Sequence, residues 1–75
     1  MISTEITIKL IGRGTVIVKR IRKSSTRIEN LLRELGINPL SVVVFKNNVM
    51  VTEDDIAEPG DVIEVYAVSP GGLSW

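Results

Sequence analysis

Seventy-five residues allow one domain and exclude a second, at a size where a single core only narrowly offsets the entropy of ordering the chain. Hydrophobic residues make up 44% against 24% charged and there is no cysteine, so folding must rest on an apolar core without disulfides or thiolate metal ligands. The formal charge is zero but divided: residues 1–37 carry eight basic groups against three acidic ones, net +5, and residues 38–75 carry Lys46 against six acids, net −5. Such a division reads either as a docking surface for a charged partner or as complementarity between packed elements.

In chain order, EITIKLIG (5–12) alternates apolar and polar residues and ends at the turn Gly12-Arg13-Gly14. TVIVKRIR (15–22) follows with β-branched residues at period two, so the two runs are expected to pair as a hairpin. The period then changes. Ile28, Leu31, Leu32 and Leu35 fall at i, i+3, i+4 and i+7, the apolar stripe of an amphipathic helix expected over residues 26–35. Thr26 and Glu29 have the spacing of a capping box at its start, and Gly36 supplies the stop.

Beyond Asn38-Pro39, SVVVFK (41–46) reads as a third strand, apolar without interruption and therefore expected to be buried on both faces. Asn47-Asn48 is a turn pair tolerant of positive φ, and Val49-Met50-Val51 a short return strand. TEDDIAEPGD (52–61) reads as an acidic loop anchored by Ile56, with Pro59-Gly60-Asp61 as a turn, and DVIEVYAV (61–68) as the closing strand. The order is β-β-α-β-β-β. One helix with a four-residue stripe covers one face of a small sheet. Ile63, Val65 and Ala67 belong under it, whereas Glu64, Tyr66 and Val68 share the other side, which leaves Tyr66 and Val68 exposed on an open face.

A hairpin, a capped helix, two short strands and a last strand running into Gly71-Gly72 resemble the β-grasp fold of ubiquitin. The stretch VVVFKNNVMVTEDDIAEPGDVIEVYAVSPGG is similar to the sulfur carriers of the ThiS and MoaD families and to the ubiquitin-related and small archaeal modifiers. The resemblance covers residues 5–72 and implies an α+β fold, a mixed four- to five-stranded sheet with one helix on one face. The expected organisation is a β-grasp domain over residues 1–70 followed by a Gly-Gly tail with a short extension, 71–75.

The resemblance also implies a chemistry. A terminal glycine carboxylate is adenylated by an E1-like enzyme that uses ATP and magnesium, so the chain itself binds no cofactor. The acyl-adenylate then becomes a thiocarboxylate, through a sulfur donor enzyme, or is transferred to a target-protein lysine as an isopeptide. On this sequence the activation site is Gly72 with Gly71 beside it, and Tyr66, Val68 and Pro70 are the candidate docking contacts. Glycine suits a tail that must enter a narrow channel, and Pro70, which fixes φ and lacks an N–H, suits the end of the strand ladder. Leu73, Ser74 and Trp75 depart from the pattern, because Gly72 then has a peptide bond in place of a carboxylate. Two readings stand: a tail removed by a processing protease, or a permanent tail that packs near Tyr66.

No histidine or cysteine is present, so Ser-His, Cys-His and the usual zinc arrangements are excluded, and an enzyme is not expected. The adjacent acids Glu53, Asp54 and Asp55 lack the spaced ligands of a calcium loop. Apolar runs fall far short of the roughly 20 residues that span a bilayer and the start lacks a signal pattern, so the expectation is a cytoplasmic protein with no membrane partner. The competing reading is a stand-alone β-grasp binding module in which Arg20, Arg22, Lys23 and Arg27 form a patch for RNA or an acidic protein. The lack of aromatic stacking platforms among those residues argues against nucleic acid.

Overall fold

The computed structural model describes residues 3–12 and 14–68. Strands β1 (Glu5–Gly12) and β2 (Thr15–Arg22) form the expected antiparallel hairpin, with Gly12 opposite Thr15 and Gly14 at φ +66° in the turn. A two-residue strand β3 (Thr26–Arg27) leads into helix α1 (Ile28–Glu34). A 3-10 turn over Pro39–Ser41 precedes β4 (Val42–Lys46), and β5 (Val49–Val51), β6 (Ile56–Ala57) and β7 (Val62–Ala67) complete the chain.

The five longer strands form one sheet in the order β2-β1-β7-β4-β5, and β3 pairs with β6 in a separate ribbon. The first strand runs parallel to the last, Ile8 beside Ile63 and Leu10 beside Val65, and all other pairings are antiparallel. A mixed five-stranded sheet with one helix, in ββαβββ order apart from the small ribbon, is the ubiquitin-like β-grasp.

Register decides which residues fill the core. Ile6, Ile8 and Leu10 of β1, Ile63 and Val65 of β7 and Val44 of β4 face Ile28, Leu31 and Leu32 of the helix, and all are buried. The helix closes as a Schellman motif: Gly36 N–H donates to Arg33 O (3.0 Å), Ile37 N–H donates to Leu32 O (2.8 Å), and Gly36 takes φ +76°. Ile37 is thereby folded into the core beside Leu32.

The structure corrects four expectations. The helix starts at Ile28 and not at Thr26, because Thr26 and Arg27 pair with Ala57 and Ile56. No capping box forms: the Arg27 position makes no side-chain cap, and Ile28 N–H and Glu29 N–H donate to the main-chain oxygens of Asp55 (2.8 Å) and Glu53 (3.0 Å). The acidic loop is therefore the helix cap, its shape held by Asp55 Oδ2, which accepts from Thr52 N–H at 2.7 Å. Ile56 is not the loop's anchor; it stands exposed while Ala57 is fully buried. Finally, β4 is not buried on both faces. Only Val44 is buried; Val43 and Phe45 are half-buried on the other side of the sheet, which no element covers among the described residues.

Candidate functional site: the open sheet face and the end of the last strand

The face opposite the helix is built from the alternate residues of each strand. Across it, Val16, Ile11, Tyr66 and Val43 lie in one row, as paired by register, and Val18, Lys9, Glu64, Phe45 and Met50 in the next. Phe45 and Tyr66 meet edge to face, ring centroids 5.5 Å apart and planes at 81°. Tyr66 is therefore half-buried, not fully exposed as its parity alone suggests. Val68 is 55% exposed just beyond β7, where its N–H donates to Ser41 O at 3.2 Å.

The sequence reading identified Tyr66 and Val68 on this face but missed Val43, Phe45 and Met50. Period two within VVVFK could have found the first two, had the apolar run been weighed against a single helix able to cover only one side. Met50, 64% exposed, follows from the Phe45–Met50 pairing that the Asn47-Asn48 turn imposes. Pro70, Gly71 and Gly72 lie outside the described residues, as do the tail positions 73–75.

The start of β7 is clamped. Asn47, at φ 51° in the turn with Asn48 at φ 70°, donates its main-chain N–H to Val62 O (2.9 Å) and accepts Val62 N–H on Oδ1 (2.9 Å). Its Nδ2 donates to Asp61 Oδ1 at 3.0 Å, and Asp61 Oδ2 in turn accepts Glu58 N–H at 2.8 Å. Gly60, at φ +95° after Pro59, donates to Glu5 O (2.9 Å) and so joins this turn to β1. The strand that leads toward the Gly-Gly pair is thus central in the sheet, paired on both sides and pinned at its first residue.

The charge division resolves only in part. Arg27 bonds Asp54 at 3.0 Å, which joins the basic half of the chain to the acidic half, whereas Lys23 bonds Glu34 at 2.7 Å within the basic half. The acids of the loop have structural partners, Asp54 on Arg27 and Asp55 on Thr52, and Glu53 offers its main-chain oxygen to the helix. Among the described residues, no group of His, Asp or Glu side chains is arranged to hold a metal ion, and no helix is long and apolar enough to cross a membrane.

These features define a small ubiquitin-like domain with a half-open sheet. A family model described as small archaeal modifier protein 2 matches residues 4–66, nearly the whole described domain, and the chain belongs to that family: it is a small protein modifier, a tag and not an enzyme. The chain is also 43% identical, over 51 residues, to an uncharacterized protein of Archaeoglobus fulgidus, a match covering 68% of this chain and 76% of that one. Among solved structures it is similar to the C-terminal ubiquitin-like domain of mouse tubulin-specific chaperone e, with TM-score 0.49, 14% identity and coverage of 97% and 94% of the two chains.

Proposed function

We propose that the protein is conjugated to lysines of target proteins through Gly72. The observation that carries this reading is membership of a modifier family across residues 4–66, with Gly71-Gly72 following the central strand within a few residues. A processing protease hydrolyses the Gly72–Leu73 bond and water supplies the new carboxylate oxygen. That carboxylate attacks the α-phosphorus of ATP, held with magnesium by an E1-like enzyme, and pyrophosphate leaves. A lysine amine then displaces AMP and forms the isopeptide; hydrosulfide displacing AMP from the same adenylate yields the thiocarboxylate. The modifier's own share is a tail that fits a narrow channel and a face by which the activating enzyme recognises it.

The open face is the recognition surface in this reading. Phe45, Tyr66, Val43 and Met50 offer apolar contact near the end of β7, and Val68 extends it toward the tail. Aromatic and methionine side chains at the centre of such a patch suit a partner that must recognise this chain among others. The test is ATP–pyrophosphate exchange with the E1-like enzyme of a host archaeon, comparing chains that end at Gly72, at Gly71 and at Trp75. Exchange with the chain ending at Gly72 alone supports the reading, and equal exchange with all three overturns it. Tyr66→Ala and Phe45→Ala are expected to raise the modifier concentration needed for half-maximal exchange.

A further inference from the structure

The chain leaves β7 at a defined place. Val68, one residue past the strand, donates its N–H to Ser41 O at 3.2 Å, so the exit lies beside the 3-10 turn that opens β4. That turn is bonded twice: Asn38 Oδ1 accepts Leu40 N–H at 3.0 Å, and Ser41 N–H donates to Asn38 O at 3.0 Å. It holds Leu40 out to solvent, 84% exposed, the highest value for a large apolar side chain among the described residues.

Beside Leu40 a groove of about 320 Å³ lies between the turn, the helix and the β4–β5 pair. Leu32, Leu40, Val42, Met50 and Val51 line it, and Glu53 adds one carboxylate. A volume at the lower end of the range for ligand pockets takes one or two side chains. The sequence beyond Val68 is SPGGLSW, residues 69–75, outside the described residues and without a charged side chain. Pro70-Gly71 has the composition of the central pair of a type II turn, which reverses a chain within four residues. At about 3.3 Å per residue, Leu73 reaches about 16 Å from Val68 and Trp75 about 23 Å. Strand β5 stands two strands from β7, about 10 Å away, so both side chains reach the groove.

We infer that this segment docks on its own domain, with Leu73 against Leu40 and Val42 and the Trp75 indole in the groove beside Leu32, Met50 and Val51, and that it thereby shields the peptide bonds around Leu73 from proteases. Tethering at this range supplies an effective concentration in the millimolar range, ahead of a free partner. A buried indole N–H needs an acceptor, and the Glu53 carboxylate supplies one. The open face beside Tyr66 suits the segment less, because Lys9 and Glu64 stand charged in the neighbouring row. One consequence rests on the processing proposed above: removal of Leu73-Ser74-Trp75 empties the groove and gives the mature chain an apolar surface that the precursor covers.

Trp75 is the only tryptophan, so its fluorescence in the full 75-residue chain reads the docking directly. Its emission is expected at shorter wavelength than that of the free peptide SPGGLSW, with several-fold weaker quenching by acrylamide, both independent of protein concentration. Leu40→Asp, at an exposed site, is expected to restore the values of the peptide while the amide spectrum stays folded. Between the full chain and one ending at Gly72, the largest amide and methyl shift differences are expected at Leu40, Val42, Met50 and Val51. Chymotrypsin, which cuts after Leu73 without enzymes of the host, is expected to trim the Leu40→Asp chain several-fold faster than the parent. Peptide-like emission and quenching in the full chain would overturn the proposal, as would shifts centred on Phe45 and Tyr66, a signal that grows with protein concentration, or equal trimming of the two chains. None of these readouts involves activation at Gly72, so failure here leaves the conjugation reading intact, and failure of processing in a host leaves the docking intact.

Discussion

Replacing Asn47 and Asn48 by alanine, one at a time, separates two physical effects that coincide in the β4–β5 turn. Both residues hold left-handed backbone, φ 51° and 70°, which alanine tolerates less well than asparagine at a cost of about 1 kcal/mol. Only Asn47 also uses its side chain, accepting Val62 N–H at 2.9 Å and donating to the Asp61 carboxylate at 3.0 Å. A neutral bond contributes about 1 kcal/mol net and one to a carboxylate somewhat more, both reduced here because the turn is exposed, so the pair contributes about 2 kcal/mol. Asn47→Ala should therefore lose about 3 kcal/mol and Asn48→Ala about 1. For a domain of this size each 1 kcal/mol shifts Tm by about 4–8 °C, so the two variants should melt roughly 10 °C apart. Urea and thermal unfolding of both, followed by circular dichroism, measure the difference. Equal losses would refute the claim that the Asn47 side chain pins the start of β7.

Other substitutions test other parts of the structure. Gly36→Ala meets no atom within 4 Å, so its cost, about 1 kcal/mol by urea unfolding, should come from the positive φ alone. Asp55→Ala removes the carboxylate that shapes the helix-capping loop and should lose about 1 kcal/mol, with faster hydrogen exchange at Ile28 and Glu29 as its signature. Ile8→Ala empties a fully buried site on the helix side of β1 and should lose about 2–5 kcal/mol by urea unfolding, the largest loss of the set. Glu34→Gln breaks the exposed Lys23 ion pair and should change stability by less than about 1 kcal/mol, with the difference vanishing in high salt.

The parts of the fold that local periodicity encodes were legible in the sequence. The hairpin of β1 and β2, the stripe Ile28, Leu31 and Leu32, the stop at Gly36 and the Asn47-Asn48 turn all follow from period or from residues suited to positive φ. What could not be read there was long-range. The capping-box spacing of Thr26 and Glu29 competes with a ribbon formed by residues about 30 positions away, and the ribbon wins because Asp55 and Glu53 supply main-chain oxygens to the same helix N–H groups. Equally, the unbroken apolar run of β4 says nothing about what lies on each side. Among the described residues no element covers the second face of that strand, so Val43 and Phe45 there are only half-buried, whereas Val42 and Lys46 share the side of buried Val44 at the two ends of the strand. Of the candidate site, the position of Tyr66 and Val68 on the open face followed from alternation, while the aromatic contact with Phe45 required the register of β4 against β7.

Mass spectrometry of the affinity-tagged protein expressed in an archaeal host tests conjugation most directly. The account predicts a processed chain ending at Gly72 and, after digestion, lysine-containing peptides of other proteins linked through that glycine. A chain that keeps all 75 residues, with no linked peptide in the same host, would contradict it.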